Sequence, residues 1–296
     1  MIEQFKAISP QLMVNEPMKK HTTFKIGGNA DMFVSIESVS ELSELIKLAN
    51  KTNVLYTVIG NGSNLLVSDK GIRGLVIEIG HGLTGCEVNG NVIYAEAGIM
   101  LKKLASVALG ESLSGLEEVS GVPGTLGGGI FMNAGAYGGE LKDTVKKVTY
   151  VDNNGDIYTI DAKDCDFGYR KSIFSKGGKY IVSAELELKK GDSEEIQAKM
   201  ADYTQRRREK QPISYPSAGS TFKRPEGNFA GTLIEKAGLK GYTVGGAMVS
   251  ELHAGFVINN GGATAQDVID LIEHIKKTVL EKFDVELEPE VRFLGE

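Results

Sequence analysis

The chain has 296 residues, 41% of them hydrophobic and 24% charged, with a formal net charge of −6 at pH 7. Lysine and arginine are dispersed along it, which argues against a basic face for nucleic acid, and no apolar run approaches the roughly 18 residues of a membrane-spanning helix. The N-terminal residues have no signal-peptide architecture, so we expect a cytoplasmic protein of about two domains, with no nucleic-acid and no membrane partner.

The two cysteines, Cys86 and Cys165, are far apart in the sequence. Neither has a histidine or a second cysteine at the spacing of a metal site. We therefore expect two reduced, half-buried thiols and no bound metal.

The first two thirds of the chain alternate predicted helices and strands. Residues 38–53 place apolar side chains on one helical face, and Ser38 with Glu41 has the spacing of a capping box. Asn-Gly pairs tolerate the positive φ of a type I′ turn, so two hairpins are predicted. The other elements predicted here are strands at 54–60, 65–67, 74–79 and 180–190, helices at 100–111 and from Asp192 to about Arg208, and hairpins turning at Asn89-Gly90 and Asn154-Gly155.

A domain boundary is predicted near 205–212, where prolines follow a helical segment. Beyond it, residues 264–283 form the longest amphipathic helix, and Thr264 with Asp267 resembles a capping pair. Its predicted buried stripe comprises Val268, Leu271, Ile272, Ile275 and Val279. The remaining predictions are a helix within 229–241, a strand at 253–259, and a final strand interrupted by Pro289, where a break in the strand can aim a neighbouring side chain.

The segment "EEVSGVPGTLGGGIFMNAGAYGGE" at 117–140 has eight glycines in 24 positions. Each glycine in an element interior costs roughly 0.5–1 kcal/mol relative to alanine, so this density needs a reason. A flexible linker is one alternative, but apolar residues are threaded between the glycines, which linkers lack. The segment instead favours a loop folded against a ligand, with its backbone N–H groups directed at anionic oxygens.

A second glycine segment, "VIGNGSNLLV" at 58–67, contains G-x-G after a predicted strand. A dinucleotide fingerprint would require a third small residue and a following helix, and another apolar strand follows instead. The motif of nucleotide-triphosphatase P-loops is also missing. Two loops remain, Gly60 to Asn64 and Gly121 to Gly129, each able to present several N–H groups to a pyrophosphate without a Rossmann helix.

Six motifs in order, "TFKIGGNADMFV", "VIGNGSNLLVSDKGIRGLVI", "SGVPGTLGGGIFMNAGAYGGE", "GYRKSIF", "SAGSTFKRP" and "LEPEVRF", closely resemble the UDP-N-acetylenolpyruvoylglucosamine reductase family, over roughly residues 20–294. The resemblance implies an α+β fold with a two-lobed FAD-binding region of the vanillyl-alcohol-oxidase type at 1–207. It also implies a C-terminal α+β substrate-binding domain at 208–296, with the final strand returning towards the flavin site.

The resemblance further implies non-covalent FAD held between the two glycine loops and NADPH as the hydride donor. The implied cofactor-binding residues are Gly60, Asn61, Gly62, Ser63, Asn64, Gly121, Pro123, Gly124, Thr125 and Gly128. Only about 36 residues separate Arg170 from Arg206, which is too short for the tyrosine-bearing segment of the family's longer class. The chain therefore resembles the shorter class.

Three residues match the family's catalytic positions. Hydride addition to an enolpyruvyl ether leaves negative charge on the adjacent carbon and its carboxylate, which needs a fixed cation or donor and then a proton. Arg170 in "GYRKSIF" suits the carboxylate, because its planar fork binds bidentately and keeps its charge. Glu290, after Pro289, matches the second stabiliser, and Ser220 in "SAGSTFKRP" matches the proton donor. Without the resemblance, the three residues are ordinary surface, strand-end and turn residues.

The expected ligand is a UDP-linked enolpyruvyl amino sugar, bound by an enzyme that we expect to be a monomer. Lys210 and Arg224 are expected to meet its diphosphate, with Tyr169 and His253 as further substrate-binding residues. The basic run "RRREK" at 206–210 also fits the cationic last turn of a helix. Two other functions remain open: a non-catalytic nucleotide-sugar binding module, and an FAD-dependent oxidase of the same fold acting on a hydroxy acid or sugar.

Overall fold

The computed structural model describes residues 1–296, which divide into two units. The first unit comprises residues 1–14, 32–61 and 74–206. The second comprises residues 15–31, 62–73 and 207–296.

The helices and strands are short except at three helices and two strands. The α-helices are α1 Ile2–Ile8, α2 Val39–Thr52, α3 Leu101–Gly110, α4 Leu126–Met132, α5 Ser193–Lys210, α6 Ala230–Lys236 and α7 Ala265–Phe283. Four 3₁₀ helices occupy Met18–Lys20, Leu141–Asp143, Ala162–Asp164 and Ile173–Lys176.

The strands are β1 Met13–Pro17, β2 Asn29–Ser35, β3 Tyr56–Ile59, β4 Leu65–Val67, β5 Ile72–Glu78, β6 Cys86–Asn89, β7 Val92–Glu96, β8 Leu113–Ser114, β9 Gly135–Ala136, β10 Gly139–Glu140, β11 Val145–Asp152, β12 Ile157–Asp161, β13 Lys179–Glu187, β14 Lys189–Lys190, β15 Thr243–Val244, β16 Ala247–Val249, β17 Val257–Asn259 and β18 Arg292–Leu294. The three larger sheets have the orders β1-β2-β5-β3, β12-β11-β13-β7-β6 and β15-β16-β17. Three two-stranded pairs join β9 to β10, β8 to β14 and β4 to β18.

The first unit is organised by the five-stranded antiparallel sheet. Val148 on its strand β11 is fully buried and lies opposite Ile160 of β12 and Ala184 of β13. The amphipathic helix α2 packs on β11, and the hydroxyl of Ser43 donates to the carbonyl of Gly155 at 2.5 Å. Helix α4, formed within the glycine segment, packs against β7 and β13, so this sheet is the platform on which the segment rests.

The second unit is built around α7. This helix packs against α6, β15 and β16, and its apolar stripe is buried. Phe24, Ile26 and Leu66 join the same core from earlier parts of the chain. Strand β18 pairs in parallel with β4, placing Arg292 opposite Leu65, so the end of the chain is fixed beside the residues that follow the first glycine segment.

The predictions for three helix starts are confirmed. The hydroxyl of Ser38 accepts the N–H of Glu41 at 3.1 Å at the start of α2. Thr264 and Asp267 form a complete capping box at the start of α7, and all five residues of the predicted stripe are buried. The carboxylate of Asp192 accepts two N–H groups of the first turn of α5, at 2.9 and 3.1 Å.

Two turn predictions need correction. The first hairpin forms, but Asn89 pairs with Val92, so the turn is centred on Gly90 and Asn91, one residue later than predicted. The second joins β11 to β12 through the longer loop 153–156, which backbone hydrogen bonds from Gly155 to Asp152 and from Asp152 to Asp156 close, and in which the carboxylate of Asp152 accepts the N–H groups of Asn154 and Asp156.

The final strand is shorter than predicted. Only Arg292–Leu294 forms a ladder, because Pro289 has no N–H to donate, and it makes an isolated antiparallel bridge with Phe222 instead. The prediction that both thiols are half-buried holds for Cys86 but is wrong for Cys165, which is fully buried. Burial, together with nearby aspartates, raises the pKa of Cys165 to about 11.

The two units change over at Arg206, close to the predicted boundary, but residues 15–31 and 62–73 also group with the C-terminal part of the chain. The first glycine segment is thereby divided, since Asn61 ends one stretch of the first unit and Gly62 begins a stretch of the second. No helix has the length and apolar character to cross a bilayer. No group of three or more histidine, cysteine or acidic residues is arranged to hold a metal ion.

Candidate functional site

The second glycine segment is not a loop throughout, because its centre is helix α4. Thr125 caps this helix, with its hydroxyl accepting the N–H of Gly128 at 3.4 Å, and its side chain is buried. The N–H groups of Leu126 and Gly127 donate to the carbonyls of Ile99 and Ala97, each at 2.8 Å. The start of the helix is therefore bound to the segment that leads from β7 into α3.

Two glycines of α4 are explained by packing rather than by a ligand. A Cβ atom on Gly127 would lie 2.9 Å from the Cβ of Ala97, and one on Gly129 would lie 2.6 Å from Cδ1 of Leu141. Real Cβ atoms do not approach neighbours this closely. Part of the glycine density is therefore required for the helix to lie against its neighbours.

The two glycine segments meet in the first unit. A Cβ atom on Gly60 would lie 2.9 Å from the hydroxyl oxygen of Thr125. Asn61 and Thr125 line the same cavity of about 220 Å³, together with Glu78, Gly80, His81, Thr84, Gly98, Ile99, Met100 and Lys103. Pockets that enclose whole drug-sized ligands have roughly 300–1,000 Å³, so this one accommodates only part of a dinucleotide.

A larger open depression of about 670 Å³ lies next to this cavity on the first unit and shares His81 with it. Its lining includes Gln11, Met13 and Glu37 and none of the residues predicted for the site. The smaller cavity is the one that coincides with the glycine segments.

The backbone around Thr125 fits an anionic cofactor group. Gly124 has φ of +156°, a conformation that side-chain-bearing residues rarely adopt. The N–H groups of Leu126, Gly127 and Gly128 are engaged within the protein. Within 121–125 the N–H of Val122 also donates within the protein, to Val119, and Pro123 has no N–H, so the N–H groups of Gly121, Gly124 and Thr125 are the candidates for a pyrophosphate, while that of Gly128 caps the helix.

The rest of the first segment, Gly62 to Asn64, belongs to the second unit. Gly62 has φ of +63° and a Cβ atom on it would collide with the carbonyl of His21. The Asn64 amide donates to the carbonyl of Glu290 at 3.1 Å, and the carbonyl of Asn64 accepts the N–H of Arg292 at 2.9 Å. Asn64 thus anchors the backbone of Glu290, which is a role that the sequence analysis did not assign to it.

Arg170 lies on a tight turn, 168–171, that is closed by backbone hydrogen bonds between Gly168 and Lys171 at 3.0 and 3.3 Å. Arg170 has φ of +54°, which is a strained conformation for this residue. Its guanidinium donates to the carbonyl of Gly135 at 3.2 Å and lies 5.0 Å from the ring centroid of Tyr169, a cation–π contact. Tyr169 and Arg170, which are neighbours in the sequence, thus also contact each other through their side chains at this turn.

Gly135 begins a hairpin that the sequence analysis missed. Tyr137 and Gly138 are its two central residues, and both have positive φ, +53° and +97°, as a type I′ turn requires. The ring of Tyr137 stacks on Tyr203 of α5, with centroids 4.4 Å apart and planes 6° from parallel. Tyrosine disfavours the positive φ of this turn position, and the stack on Tyr203 compensates for it. The stack thereby holds in place the hairpin that contacts Arg170.

Asn133 is the second residue that the sequence analysis missed. It ends α4 in the left-handed conformation, with φ of +44°, and it is fully buried. Its amide joins the glycine segment to the turn of Arg170 through the carbonyl of Gly168 at 3.0 Å. Asparagine is the commonest substitute for glycine at a helix end, so the "MNAG" after the apolar run was the available signal.

The segments that carry Ser220 and Glu290 pair through their backbones in the second unit. The N–H of Glu290 donates to the carbonyl of Thr221 at 2.8 Å, and Phe222 bridges Pro289 in the antiparallel sense. Thr221 is buried, whereas Ser220 beside it is exposed and Glu290 is partly buried. This pairing places the backbone of Glu290 beside Thr221, the residue that follows the predicted proton donor.

The segment that contains His253 is hydrogen-bonded to the segment that contains Ser220, since the N–H of Thr221 donates to the carbonyl of Gly255 at 2.9 Å. The Nδ1 atom of His253 accepts the N–H of Gly255 at 3.0 Å, so the neutral ring carries its proton on Nε2. Burial lowers the pKa of His253 from its ordinary 6.5, and Lys240 contributes in the same direction. At neutral pH the ring is therefore a hydrogen-bond donor rather than a cation.

The two predicted diphosphate-binding cations are exposed. The guanidinium carbon of Arg224 lies 4.0 Å from the ring centroid of Phe229, which is 59% exposed. Lys210 is the last residue of α5, whose final turn also contains Arg207 and Arg208. The prediction that the basic run is the last turn of a helix is confirmed.

Two family models match the chain. "FAD binding domain" matches residues 30–161, and "UDP-N-acetylenolpyruvoylglucosamine reductase, C-terminal domain" matches residues 211–294. A UDP-N-acetylenolpyruvoylglucosamine reductase from Alkaliphilus oremlandii is 51% identical over 300 residues, which cover 100% of this chain and 99% of that protein. The protein of the same name from Clostridioides difficile is 50% identical over 285 residues, 96% of this chain and 94% of that one.

A solved structure agrees with these relatives. The crystal structure of UDP-N-acetylenolpyruvylglucosamine reductase from Thermus caldophilus superposes with a TM-score of 0.82 at 35% identity, covering 96% of this chain and 98% of that one. The predicted α+β class, with an FAD-binding domain followed by a C-terminal domain, is confirmed.

Proposed function

The chain belongs to the UDP-N-acetylenolpyruvoylglucosamine reductase family, and from this premise we propose that Arg170, Glu290 and Ser220 are its catalytic residues. The protein is an FAD-dependent oxidoreductase that uses NADPH to reduce the enolpyruvyl ether of UDP-N-acetylglucosamine enolpyruvate. The product is UDP-N-acetylmuramate, an intermediate of peptidoglycan synthesis.

The chemistry that FAD supplies is a hydride for the methylene carbon of the enolpyruvyl group. The protein must then stabilise the enolate that develops on the substrate and deliver a proton to its α-carbon. We assign the first task to Arg170 and Glu290 and the second to Ser220.

Arg170 binds the carboxylate of the enolpyruvyl group. Its guanidinium donates to the carbonyl of Gly135 and lies against the ring of Tyr169, and these two contacts orient the planar fork. A planar, permanently charged fork binds the carboxylate and its growing charge with one geometry. The tight turn at 168–171 fixes that geometry in advance.

Ser220 donates the proton, and Glu290 stabilises the enolate beside it. The observation that supports this assignment is the antiparallel pairing of 221–223 with 288–290, in which the N–H of Glu290 donates to Thr221, the neighbour of Ser220. A serine hydroxyl is a weak acid, but an enolate derived from a carboxylate is a strong enough base to take its proton. The exposed hydroxyl and the adjacent carboxyl supply the donor and the stabilising group that the reaction requires.

The remaining polar residues bind the rest of the nucleotide sugar. Arg224 and Lys210 meet the diphosphate, and His253 contributes an Nε2–H donor. FAD is held without a covalent bond by 60–64 and 121–125, with Thr125 at the junction of the two segments. We also propose that the enzyme is a cytoplasmic monomer with FAD-binding and substrate-binding regions at 1–207 and 208–296.

The test of this function is NADPH consumption by the purified holoenzyme, with and without the enolpyruvyl nucleotide sugar. We expect consumption in step with product formation and little hydrogen peroxide. Rapid peroxide formation without the enolpyruvyl substrate would instead support the oxidase alternative. A protein that binds the nucleotide sugar but carries no flavin absorbance would be a binding module and would contradict the proposal.

A further inference from the structure

Asn133 occupies the junction of three segments of the first unit. It ends α4, the helix at the centre of the glycine segment, and its side chain is fully buried. Its backbone N–H closes the helix by donating to the carbonyl of Ile130. Its φ of +44° permits glycine, asparagine or aspartate but disfavours most other residues.

The side-chain amide of Asn133 makes three hydrogen bonds within the protein. Its Nδ2 group donates to the carbonyl of Gly168 and to the carboxylate of Glu140, each at 3.0 Å. Its Oδ1 atom accepts the N–H of Lys142 at 3.0 Å. A helix cap alone requires none of these three bonds.

Two backbone carbonyls near Asn133, those of Gly168 and Gly135, belong to the segments that hold Arg170. Gly168 is the first residue of the turn that carries Arg170, and Gly135, whose carbonyl accepts from the guanidinium, starts the hairpin that ends at Glu140. The amide of Asn133 therefore binds both segments that hold Arg170. It binds the turn 168–171 at Gly168, and it binds the hairpin 135–140 at Glu140.

We propose that Asn133 is a positioning residue that fixes Arg170 relative to the glycine segment at 121–129. This inference rests on the proposed function of Arg170 in binding the substrate carboxylate. Because the glycine segment is the proposed flavin cradle, the same amide sets the distance between the carboxylate-binding arginine and the cofactor. A shift of about 1 Å at a reacting centre can reduce the rate on the order of 10²-fold.

Two substitutions retain the left-handed backbone while changing the amide. Asn133→Gly removes all three side-chain bonds. Asn133→Asp is nearly isosteric and keeps the acceptor for Lys142, but it replaces the donor with a carboxylate that faces Glu140 and the carbonyl of Gly168. Asn53→Gly is the matched control, since Asn53 ends α2 at φ of +54° with an exposed side chain.

The aspartate variant adds a pH signature. The charged groups on the joined segments are Glu140, Lys142, Asp143, Arg170 and Lys171; the amide contacts Glu140, which is also ion-paired with Lys142. Burial and the Glu140 carboxylate both raise the pKa of the introduced carboxyl. When protonated, it again donates a hydrogen bond, so its defect relative to wild type should shrink as the pH falls from 8 to 6. The defect of Asn133→Gly should not.

Three measurements separate positioning from folding. The first is the equilibrium affinity of apoprotein for FAD, which we expect to stay within about 3-fold. The second is the affinity of the oxidised holoenzyme for the enolpyruvyl nucleotide sugar without NADPH, read from the change in flavin absorbance. We expect it to weaken about 10-fold. The third is stopped-flow kinetics, in which reoxidation by substrate should slow 10- to 100-fold and reduction by NADPH less than 3-fold.

A double variant that combines Asn133→Asp with Arg170→Ala tests whether Asn133 acts through Arg170. If Asn133 acts through Arg170, Asn133→Asp should add little to the losses of Arg170→Ala. Wild-type substrate affinity and reoxidation in both Asn133 variants would overturn the inference, as would equal slowing of both half-reactions with additive effects. Should Asn133→Gly fail to fold, the pH dependence of Asn133→Asp decides. If Arg170→Ala itself leaves substrate affinity and reoxidation unchanged, the proposed function of Arg170 fails before Asn133 is tested.

Discussion

Gly60→Ala tests whether the two glycine segments form one flavin site. The added methyl group would lie 2.9 Å from the hydroxyl oxygen of Thr125, which is buried and caps α4. Real Cβ atoms essentially never come this close to a neighbour. The hydroxyl must move, and it must give up its bond to the N–H of Gly128 or carry the start of α4 with it.

The magnitude follows from those two consequences. Losing a threonine N-cap costs about 1 kcal/mol, and overfilling a packed site costs about 1–3 kcal/mol in total. For a domain of this size, 1 kcal/mol corresponds to roughly 2–4 °C in Tm, so the apoprotein should lose roughly 2–12 °C. A displaced pyrophosphate cradle should also weaken FAD at least 10-fold, which adds about 1.4 kcal/mol at saturating cofactor.

The assay is thermal unfolding of the apoprotein and the holoprotein, together with calorimetric titration of the apoprotein with FAD. We expect the variant's Tm deficit to be larger with FAD than without it. Gly110→Ala is the control, because Gly110 ends α3 with open space around it. An added methyl there should leave FAD affinity unchanged.

Unchanged FAD affinity in Gly60→Ala would contradict the shared site even if the protein became less stable. A Tm deficit of the same size with and without FAD would mean that the contact with Thr125 is purely structural.

The remaining predictions concern single side chains. Burial lowers the pKa of His253, so the stability that the neutral ring contributes is fully present above the ordinary pKa of 6.5 and is lost as the pH falls below that value. Between pH 7.5 and 5, the free energy of unfolding should therefore fall less in His253→Asn than in the wild type. The amide oxygen of the asparagine can still accept the N–H of Gly255. Arg224→Ala and Lys210→Ala should raise KM about 10-fold or more with kcat nearly unchanged, since a remote diphosphate is bound alike in ground and transition states; a fall in kcat at constant KM would contradict this role. Cys165, buried and with its pKa raised to about 11, should react with a thiol reagent only after unfolding, and rapid labelling of the native protein would refute this.

Elements whose stability is local could be predicted from the sequence. The capping box of Thr264 and Asp267 and the stripe behind it specify α7 within a single segment, and the structure agrees to the residue at its N-terminus. The caps of Ser38 and Asp192 are similarly local, since each accepts N–H groups two or three residues ahead. Neighbouring residues contain enough information for such elements.

Helix α4 could not be predicted in this way. Three successive glycines oppose a helix by local propensity, and the reasons for two of them are distant: Ala97 for Gly127 and Leu141 for Gly129. The same applies to the type I′ hairpin at Tyr137, where stacking on Tyr203 overrides turn preference. Tertiary packing determined both conformations, and a single sequence does not display it.

In the candidate site, too, some residues could be identified from the local sequence and others depend on distant contacts. The motifs identified Arg170, Ser220 and Glu290 through resemblance, and Pro289 was a local sign that the final strand is broken. Asn133 was missed because its role depends on three partners that are 7 to 35 residues away along the chain. A buried left-handed asparagine is recognised as a junction only when those partners are visible.

The central claim is most directly tested by stopped-flow kinetics of Ser220→Ala, which separates flavin reduction by NADPH from flavin reoxidation by the enolpyruvyl substrate. Only the second half-reaction needs a proton at carbon, so the variant's flavin should bleach with NADPH at nearly the wild-type rate. Its reoxidation should be slower by the roughly 10²–10⁴-fold that a positioned proton donor contributes, or more. Equal slowing of both half-reactions would make Ser220 structural, and wild-type reoxidation would place the proton donor elsewhere.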